Sequence, residues 1–426
     1  MEALLLFGIF LGLLFLGVPV AIALGFTAIA LIWHFDLGIS GVAPNFYAGI
    51  AKFQLLAIPF FVMAGFIMER CGISKRLVHL ISLMVGPIHG GLAIVTVLVG
   101  LIFAGISGSG PADTAALGTI LIGAMAAKGY SKEFTSALVA SSGALAIVVP
   151  PSIAFIIYGV ITNTSIPALF AAGVFPGIML GLFLIIPSIW ISRKNGWRGE
   201  EWGTLSEIGK AFREAFWGLL APFIILGGLY GGVVTPTEAA VLAVFYGLFV
   251  GVIVYREISL RDLYGILRDT LLSSAVIMII VAFAGLFAWT GATLGVMERF
   301  SEYILSLSDN PWVILLLINV LLFVAGMLID AISIYYIFLP ILLPIMKLYE
   351  WDPVWFGVVM TVNLAIGQIT PPVAVNLYVV SNIAKISLDR VSRAVVPFVL
   401  IMIVALLIIT YIPSMSTYLP SLFKLN

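Results

Sequence analysis

Apolar runs long enough to cross a bilayer, roughly 20 residues each, follow one another along almost the whole chain, separated by short polar breaks. They fall at about 3–32, 46–69, 132–162, 167–192, 214–233, 237–255, 267–297, 353–383 and 390–413, which predicts nine crossings. Two further apolar stretches, about 89–127 and 310–347, are interrupted near the middle by polar or helix-breaking residues. Each half is then about 16 to 18 residues, short for a crossing and suited to entering half-way and turning back. Both are expected to be re-entrant hairpins. The N-terminal run continues past Ile32 without a basic leader segment, so it is expected to be a first span and not a cleaved signal.

Charge orients this pattern, because cytoplasmic loops collect lysine and arginine. Nine spans and two hairpins put Arg70, Lys75, Arg76, Lys128, Lys132, Arg193, Lys194, Arg198, Lys210, Arg213, Arg256, Arg261, Arg268, Lys385, Arg390 and Arg393 on one side. Lys52, Arg299, Lys347 and Lys424 fall on the other. This asymmetry predicts a cytoplasmic N-terminus and a periplasmic C-terminus, with the first hairpin entering from the cytoplasm and the second from outside. Composition agrees with a polytopic membrane protein embedded in the lipid bilayer: 62% of the residues are apolar, 9% are charged, and mean hydropathy is +1.21. The 20 basic and 20 acidic residues leave no net basic field for a nucleic acid. A single cysteine, Cys71, excludes an internal disulfide, and His34, His79 and His89 are too scattered for a zinc or haem site.

The chain also repeats itself. Pro150-Pro151 in AIVVPPSIAF recurs as Pro371-Pro372 in GQITPPVAVN, and the same offset carries Pro176 to Pro397 and Gly105 to Gly326. Each copy then holds four crossings and one hairpin, and the extra span at about 214–233 inverts the second copy. The expected fold is an all-α polytopic membrane protein of two inverted repeats with re-entrant hairpins and broken helices, an arrangement typical of secondary transporters. The expected units are residues 1–195, a cytoplasmic amphipathic arm plus extra span at 196–235, and residues 236–426. Leu205, Ile208, Phe212 and Phe216 recur at helical spacing along that arm. SKRLVHLISLM from Ser74 and SLRDLYGILRD from Ser259 have the same amphipathic character.

The breaks are where chemistry is expected. In GISGSGPAD the glycines permit an unwound turn with exposed carbonyls, and Ser107 and Ser109 add hydroxyl oxygens, hard ligands suited to a small cation. Pro111 begins a new helix whose positive end attracts an anion. VVPPSI interrupts the 132–162 span, leaving carbonyls around Gly143 to Val149 without helical partners and starting a half-helix at Ser152. GMLIDAIS and GQITPP do the same in the second copy. Asp113 reads as an acid favouring a helix N-terminus, Glu238 as the third position of a capping box with Thr235, and Asp330, a carboxylate in an apolar stretch, as functional. GISG also fits a short intramembrane serine-protease pattern, but the nearest histidine, His89, lies near the opposite end of the hairpin arm. A channel would call for a ring of charge or a filter motif that the sequence lacks.

Together, GISGSGPADTAALGTILIGAM, VVPPS and GQITPPVAVNLYVV resemble the large membrane subunit of tripartite ATP-independent periplasmic (TRAP) transporters, the DctM-like family. The resemblance covers essentially the whole chain. It implies an ion-transporter fold, a sodium-coupled elevator in the bacterial inner membrane with no organic cofactor, and no enzymatic activity. It further implies organic-acid substrates such as C4-dicarboxylates or sialic acid, a periplasmic substrate-binding protein, and a small four-helix membrane subunit. Family roles carried onto this chain place one sodium site at Ser107 and the segment from Gly143 through Val148 to Pro150. A second falls around Gly326, Asp330, Gly367 and Thr370, and Ser109, Ser152 and Asp330 are expected on the substrate side. The scaffold is expected from spans 3–32, 214–233 and 237–255. A standalone sodium/carboxylate transporter of the same superfamily is the nearest alternative. Repeat symmetry is imperfect, since Ser109 corresponds to Asp330 and Ser107 to Leu328.

Overall fold

The computed structural model describes residues 1–85, 88–197, 199 and 202–425. Arg198, one of the charges assigned above, lies outside them. Among the described residues the chain is helical, without strands. The first half comprises α1 (Glu2–Phe15), α2 (Val20–His34), α3 (Val42–Ile50), α4 (Ala57–Arg70), the amphipathic α5 (Ile73–Val85) and a hairpin of α6 (Gly91–Ser107) and α7 (Gly110–Ala127). The broken span follows as α8 (Lys132–Ala144) and α9 (Ile153–Thr162), then α10 (Ile166–Lys194) and α11 (Leu205–Tyr230). The second half runs through α12 (Pro236–Leu248), which ends in a π-helical turn, α13 (Leu260–Thr293) and α14 (Val296–Ser306). Its hairpin is α15 (Pro311–Gly326) with α16 (Ala331–Leu348). The second broken span is α17 (Pro353–Gly367) with α18 (Val375–Ala384), followed by α19 (Leu388–Tyr411) and α20 (Ser414–Leu422). Eight of the described helices, some extended by an adjoining turn, are long and apolar enough to cross a membrane.

Polar side chains at the helix starts set many of these boundaries. Ser131 and Ser165 accept from the backbone of Phe134 and Ala168. Thr204 with Glu207, Thr235 with Glu238 and Ser259 with Asp262 form reciprocal capping boxes, so Glu238 has the structural role read from its spacing. Two of the amphipathic arms are not separate struts: the arm from Leu205 is the first part of the 26-residue α11, and that from Ser259 opens the 34-residue α13.

Aromatic anchors reveal where the hairpins enter. Gly90 donates to the Trp197 carbonyl at 3.1 Å, and the Tyr130 ring lies 4.7 Å from the Trp197 ring, so both ends of α6/α7 meet one residue. Both ends of α15/α16 meet the C-terminal end of α19. There Tyr411 donates to the Trp312 carbonyl, and Trp355, in the first turn of α17 just after the hairpin's exit, donates to the Ile409 carbonyl. The N-terminal end of α19 carries Arg390, paired with Glu133 at 3.5 Å beside the first hairpin's exit. The 24 residues of α19, about 36 Å of helix, therefore separate the two entry faces, and the hairpins enter from opposite sides. The face of the first hairpin is the basic one: Arg70 pairs with Asp269 at 2.7 Å and Arg76 with Glu257 at 2.5 Å there.

The predicted first crossing, 3–32, is instead two helices folded back on each other. Val18 N–H closes on the Leu13 carbonyl at 3.0 Å, ending α1, and Pro19 bars a continuous helix. Going in, Glu2 accepts from Arg299 at 2.8 Å and the Phe7 and Phe10 rings pack against Phe287. Coming back, Gly25 lies against Phe283 and Gly41 against Trp289. With 14 and 15 residues, neither helix reaches the roughly 20 needed to cross. The N-terminus therefore shares a face with Arg299, opposite Arg70 and Arg268. Phe423 stacks on Tyr230 at 5.2 Å at the end of α11 remote from its basic start, which puts the C-terminus on that same face. A membrane-impermeant thiol reagent is expected to label a cysteine tag ahead of Met1 and Tyr303→Cys from one side of oriented vesicles, and Arg268→Cys only from the other.

Candidate functional site

Four interruptions meet inside the fold. At the first hairpin tip, α6 ends at Ser107, Gly108 takes φ +65° and Ser109 is extended before α7 begins. A Cβ on Gly108 would come within 2.6 Å of the Pro151 carbonyl oxygen, so the tip rests directly on the first broken segment. On its other flank, Gly110 faces the Gln368 side-chain oxygen from the second broken segment. The second tip closes the arrangement: Val373 N–H donates to the Met327 carbonyl at 3.0 Å, and a Cβ on Gly367 would sit 2.6 Å from the Gly326 carbonyl carbon. Asn376 of α18 reaches across the repeats to the Ala140 carbonyl of α8 at 3.2 Å.

The expected site residues have unequal roles in this geometry. Ser107 donates its hydroxyl to the Asp113 carboxylate and accepts from Ser109 N–H at 3.2 Å. Ser109 makes no capping bond with its own hydroxyl and lines a cavity of about 80 Å³. Gly143 packs against Thr114, bringing the broken span onto the first turn of α7, while Val148 and Pro150 direct their carbonyls toward Gly173 and Gly105. Ser152 is fully buried and committed locally, donating to the Ile147 carbonyl at 2.5 Å and capping α9 through Phe155 N–H. Gly326 and Gly367 are a backbone contact. Thr370 donates to the Ile366 carbonyl at 2.7 Å. Asp330 accepts from Ile332 N–H at 3.0 Å, Ser333 N–H at 3.1 Å and the Ser333 hydroxyl at 2.6 Å, a complete cap of α16.

Other groups emerge only in three dimensions. Asp113 is fully buried, and its second carboxylate oxygen has no partner. Gln368 and Asn376 each hold a buried side-chain oxygen without a partner, as does Asn363, whose amide donates to the Asn319 carbonyl and side-chain oxygens at 2.9 and 3.0 Å. A polar residue within a run of apolar ones was the available signal, and GQITPP contained it. The cavity at the first tip is bounded by Val62, Gly65 and Glu69 of α4 and by Ser273 and Ile277 of α13, helices outside the hairpins and broken spans. No histidine approaches Ser107 there; its hydroxyl is taken by Asp113.

Two opposed hairpins and two broken helices converging at mid-depth define a secondary-transporter architecture. Family comparison gives the particular class. The model of the tripartite ATP-independent periplasmic transporter DctM component matches residues 7–415, and the chain belongs to this family. It is 42% identical to the isethionate TRAP transporter permease protein DctMQ of Oleidesulfovibrio alaskensis over 97% of this chain, which spans 65% of that relative's length. It is 37% identical to the C4-dicarboxylate TRAP transporter large permease protein DctM of Rhodobacter capsulatus, over 99% of each. Identity is 39% to the sialic acid TRAP transporter large permease protein SiaM of Vibrio cholerae, over 97% of each. The fold is shared with the YdaH transporter of Alcanivorax borkumensis at a TM-score of 0.60 and 16% identity, covering 87% of this chain and 86% of that one. These relatives are permeases, and the chain is a multi-pass membrane transporter subunit, not an enzyme.

Two substitutions test the geometry. Gly108→Ala combines an unfavourable φ with a backbone clash and is expected to cost about 1–3 kcal/mol, read as a lower unfolding temperature in detergent. Asp330→Ala is expected to lose about 0.5–2 kcal/mol with the cap of α16, and Asp330→Asn to retain most of that stability in the same melt.

Proposed function

We propose that this chain is the transporting membrane subunit of a sodium-driven TRAP system that imports a small organic acid across the bacterial inner membrane. The observation that carries the reading is the convergence of four interruptions on hydroxyl, amide, carboxylate and backbone groups, with no lysine or arginine lining the first-tip cavity. Helix N-termini and hydroxyls would hold the anion loosely enough for release, and carbonyl and hydroxyl oxygens would hold sodium. Ser109 is the substrate-side hydroxyl. One cation sits by Ser107 and the segment from Gly143 to Pro150; the other sits by the second tip, where Gly326, Gly367 and Thr370 shape the backbone and Asp330 keeps α16 in register.

The hairpins and broken helices form the moving body of an elevator. The wall supplied by α4 and α13 at the first tip supports a scaffold on that side, together with α11 and α12. The cavity reaches Glu69, next to Arg70 on the basic face, which corresponds to a state open to the cytoplasm. A small membrane subunit extends the scaffold, and a periplasmic binding protein delivers the acid to the opposite face. The names of the relatives span a sulfonate, dicarboxylates and a sugar acid, so the substrate class is a small carboxylate or sulfonate.

The test is uptake of radiolabelled isethionate, succinate and sialic acid into proteoliposomes holding this chain, its small partner and the binding protein. Uptake of one acid that needs both an inward sodium gradient and the binding protein is expected, and Ser109→Ala is expected to lower it at unchanged protein insertion. Sodium-driven uptake without the binding protein would replace this reading with a standalone transporter.

A further inference from the structure

We propose that the groove between α10 and α19, on the outer surface of the protein, binds a phospholipid with an anionic headgroup from the cytoplasmic leaflet. The groove encloses about 340 Å³ and is lined by Ile186, Pro187 and Trp190 of α10 and by Pro397, Leu400 and Val404 of α19, among others. Ile186, Trp190, Leu400 and Val404 are exposed, so it opens onto lipid and not toward the four interruptions. Two prolines account for the gap. Pro187 and Pro397 both stand inside their helices. Neither has an N–H to donate, so the Phe183 and Arg393 carbonyls lose their helical partner, and each ring crowds the turn before it. Side chains of two regular helices would interdigitate at that level; the rings hold the turns apart.

Charge at one end selects the occupant. The C-terminal end of α10 and the N-terminal end of α19 meet at Phe134, whose ring lies 5.0 Å from Trp197 and 5.9 Å from Phe398. The two helices are therefore antiparallel, and both ends lie on the basic face. One helical turn, about 5 Å of rise, carries Trp190 to Arg193 and Lys194, and Pro397 back to Arg393; one more reaches Arg390. Lys194 lies over the Trp190 ring at 5.7 Å, which puts this cation at the mouth of the groove. Asp389 pairs with Arg393 at 3.0 Å and Glu133 with Arg390 at 3.5 Å. Among the described residues, Arg193 and Lys194 have no carboxylate partner.

The mouth thus carries surplus positive charge beside an apolar cleft, with a tryptophan at headgroup depth. An acyl chain matches the cleft, and a headgroup phosphate matches the cations. A zwitterionic lipid brings its own ammonium group to the same place and gains less. A static protein partner suits this face poorly. α10 and α19 follow directly from the two broken spans and pack on α6, α8 and α17, so in the elevator reading above the face travels with the hairpins. A lipid can travel with it. The site itself needs only a membrane and stands apart from sodium coupling.

The experiment places the chain and its small membrane partner in phosphatidylcholine nanodiscs with rising fractions of phosphatidylglycerol that carries a photoreactive diazirine in its acyl chain. Cross-linked peptides are mapped, and phosphatidylcholine with the same tag is the control. Labelling of residues 186–194 and 397–404 is expected to saturate at a lower fraction of the tagged phosphatidylglycerol than of the tagged phosphatidylcholine. Arg193→Gln combined with Lys194→Gln is expected to raise the half-saturating fraction of phosphatidylglycerol about tenfold or more and to leave that of phosphatidylcholine unchanged. Leu400→Trp, which fills the groove, is expected to remove labelling by both. Equal labelling by the two lipids, or a phosphatidylglycerol midpoint unmoved by the charge variant, overturns the assignment and leaves ordinary solvating lipid. Should that variant not assemble, Arg393→Gln is read in the same way. Absence of labelling by either lipid also overturns it, and labelling that returns when the small partner is omitted puts that subunit in the groove instead.

Discussion

Everything in this fold depends on one constraint: inside a bilayer, a peptide group that leaves a helix must find another partner within the protein. The chain leaves its helices four times at mid-depth, and the resulting segments lean on one another. The Pro151 carbonyl backs Gly108, Val373 bonds Met327, Gln368 covers Gly110, and Asn376 ties α18 to α8. The same contacts that make the breaks tolerable collect their oxygens and helix ends in one place. Site and fold are therefore a single solution, and neither hairpin could hold its tip at that depth without the broken helix beneath it.

Symmetry stops at the backbone. The repeat offset carries α7 onto α16 at both ends, yet the side chains at matching places differ in chemistry. Ser107 and Asp113 correspond to Leu328 and Ile334, and Gln368 and Asn363 to Ile147 and Ser142. One half keeps a buried carboxylate, the other keeps amides. The glycine contact between Gly326 and Gly367 brings backbone to backbone at the second tip, whereas the first tip leaves space against α4 and α13. Two halves built alike thus differ at their tips, the first bordering a cavity against α4 and α13.

Most of the helices were legible because lipid imposes a length and breakers and caps mark the ends: the capping box at Thr235 and the paired prolines fall where the spacing places them. The charge asymmetry likewise separates Arg70 and Arg268 from Arg299. The turn between α1 and α2, Leu16 to Pro19, was not legible, because it contains no charged or strongly polar residue. Hydropathy merges two short apolar helices into one long crossing when nothing polar divides them. The packing of Phe7, Phe10 and Gly25 along α13 separates them.

The sequence by itself determined the class of fold, the two opposed hairpins, the four interruptions and the family, since each follows from local pattern: apolar length, helix breakers, caps and repeated spacing. It could not assign the two aspartates. Asp113 and Asp330 are each one acid at a helix start, and their difference lies in what reaches them. Three local donors complete Asp330, while Asp113 is closed in by α4, α6 and the broken span, segments that only the tertiary structure brings to it. Burial and partnership are properties of the assembled fold, and for a carboxylate among apolar residues they decide whether its bonds are completed locally or left open.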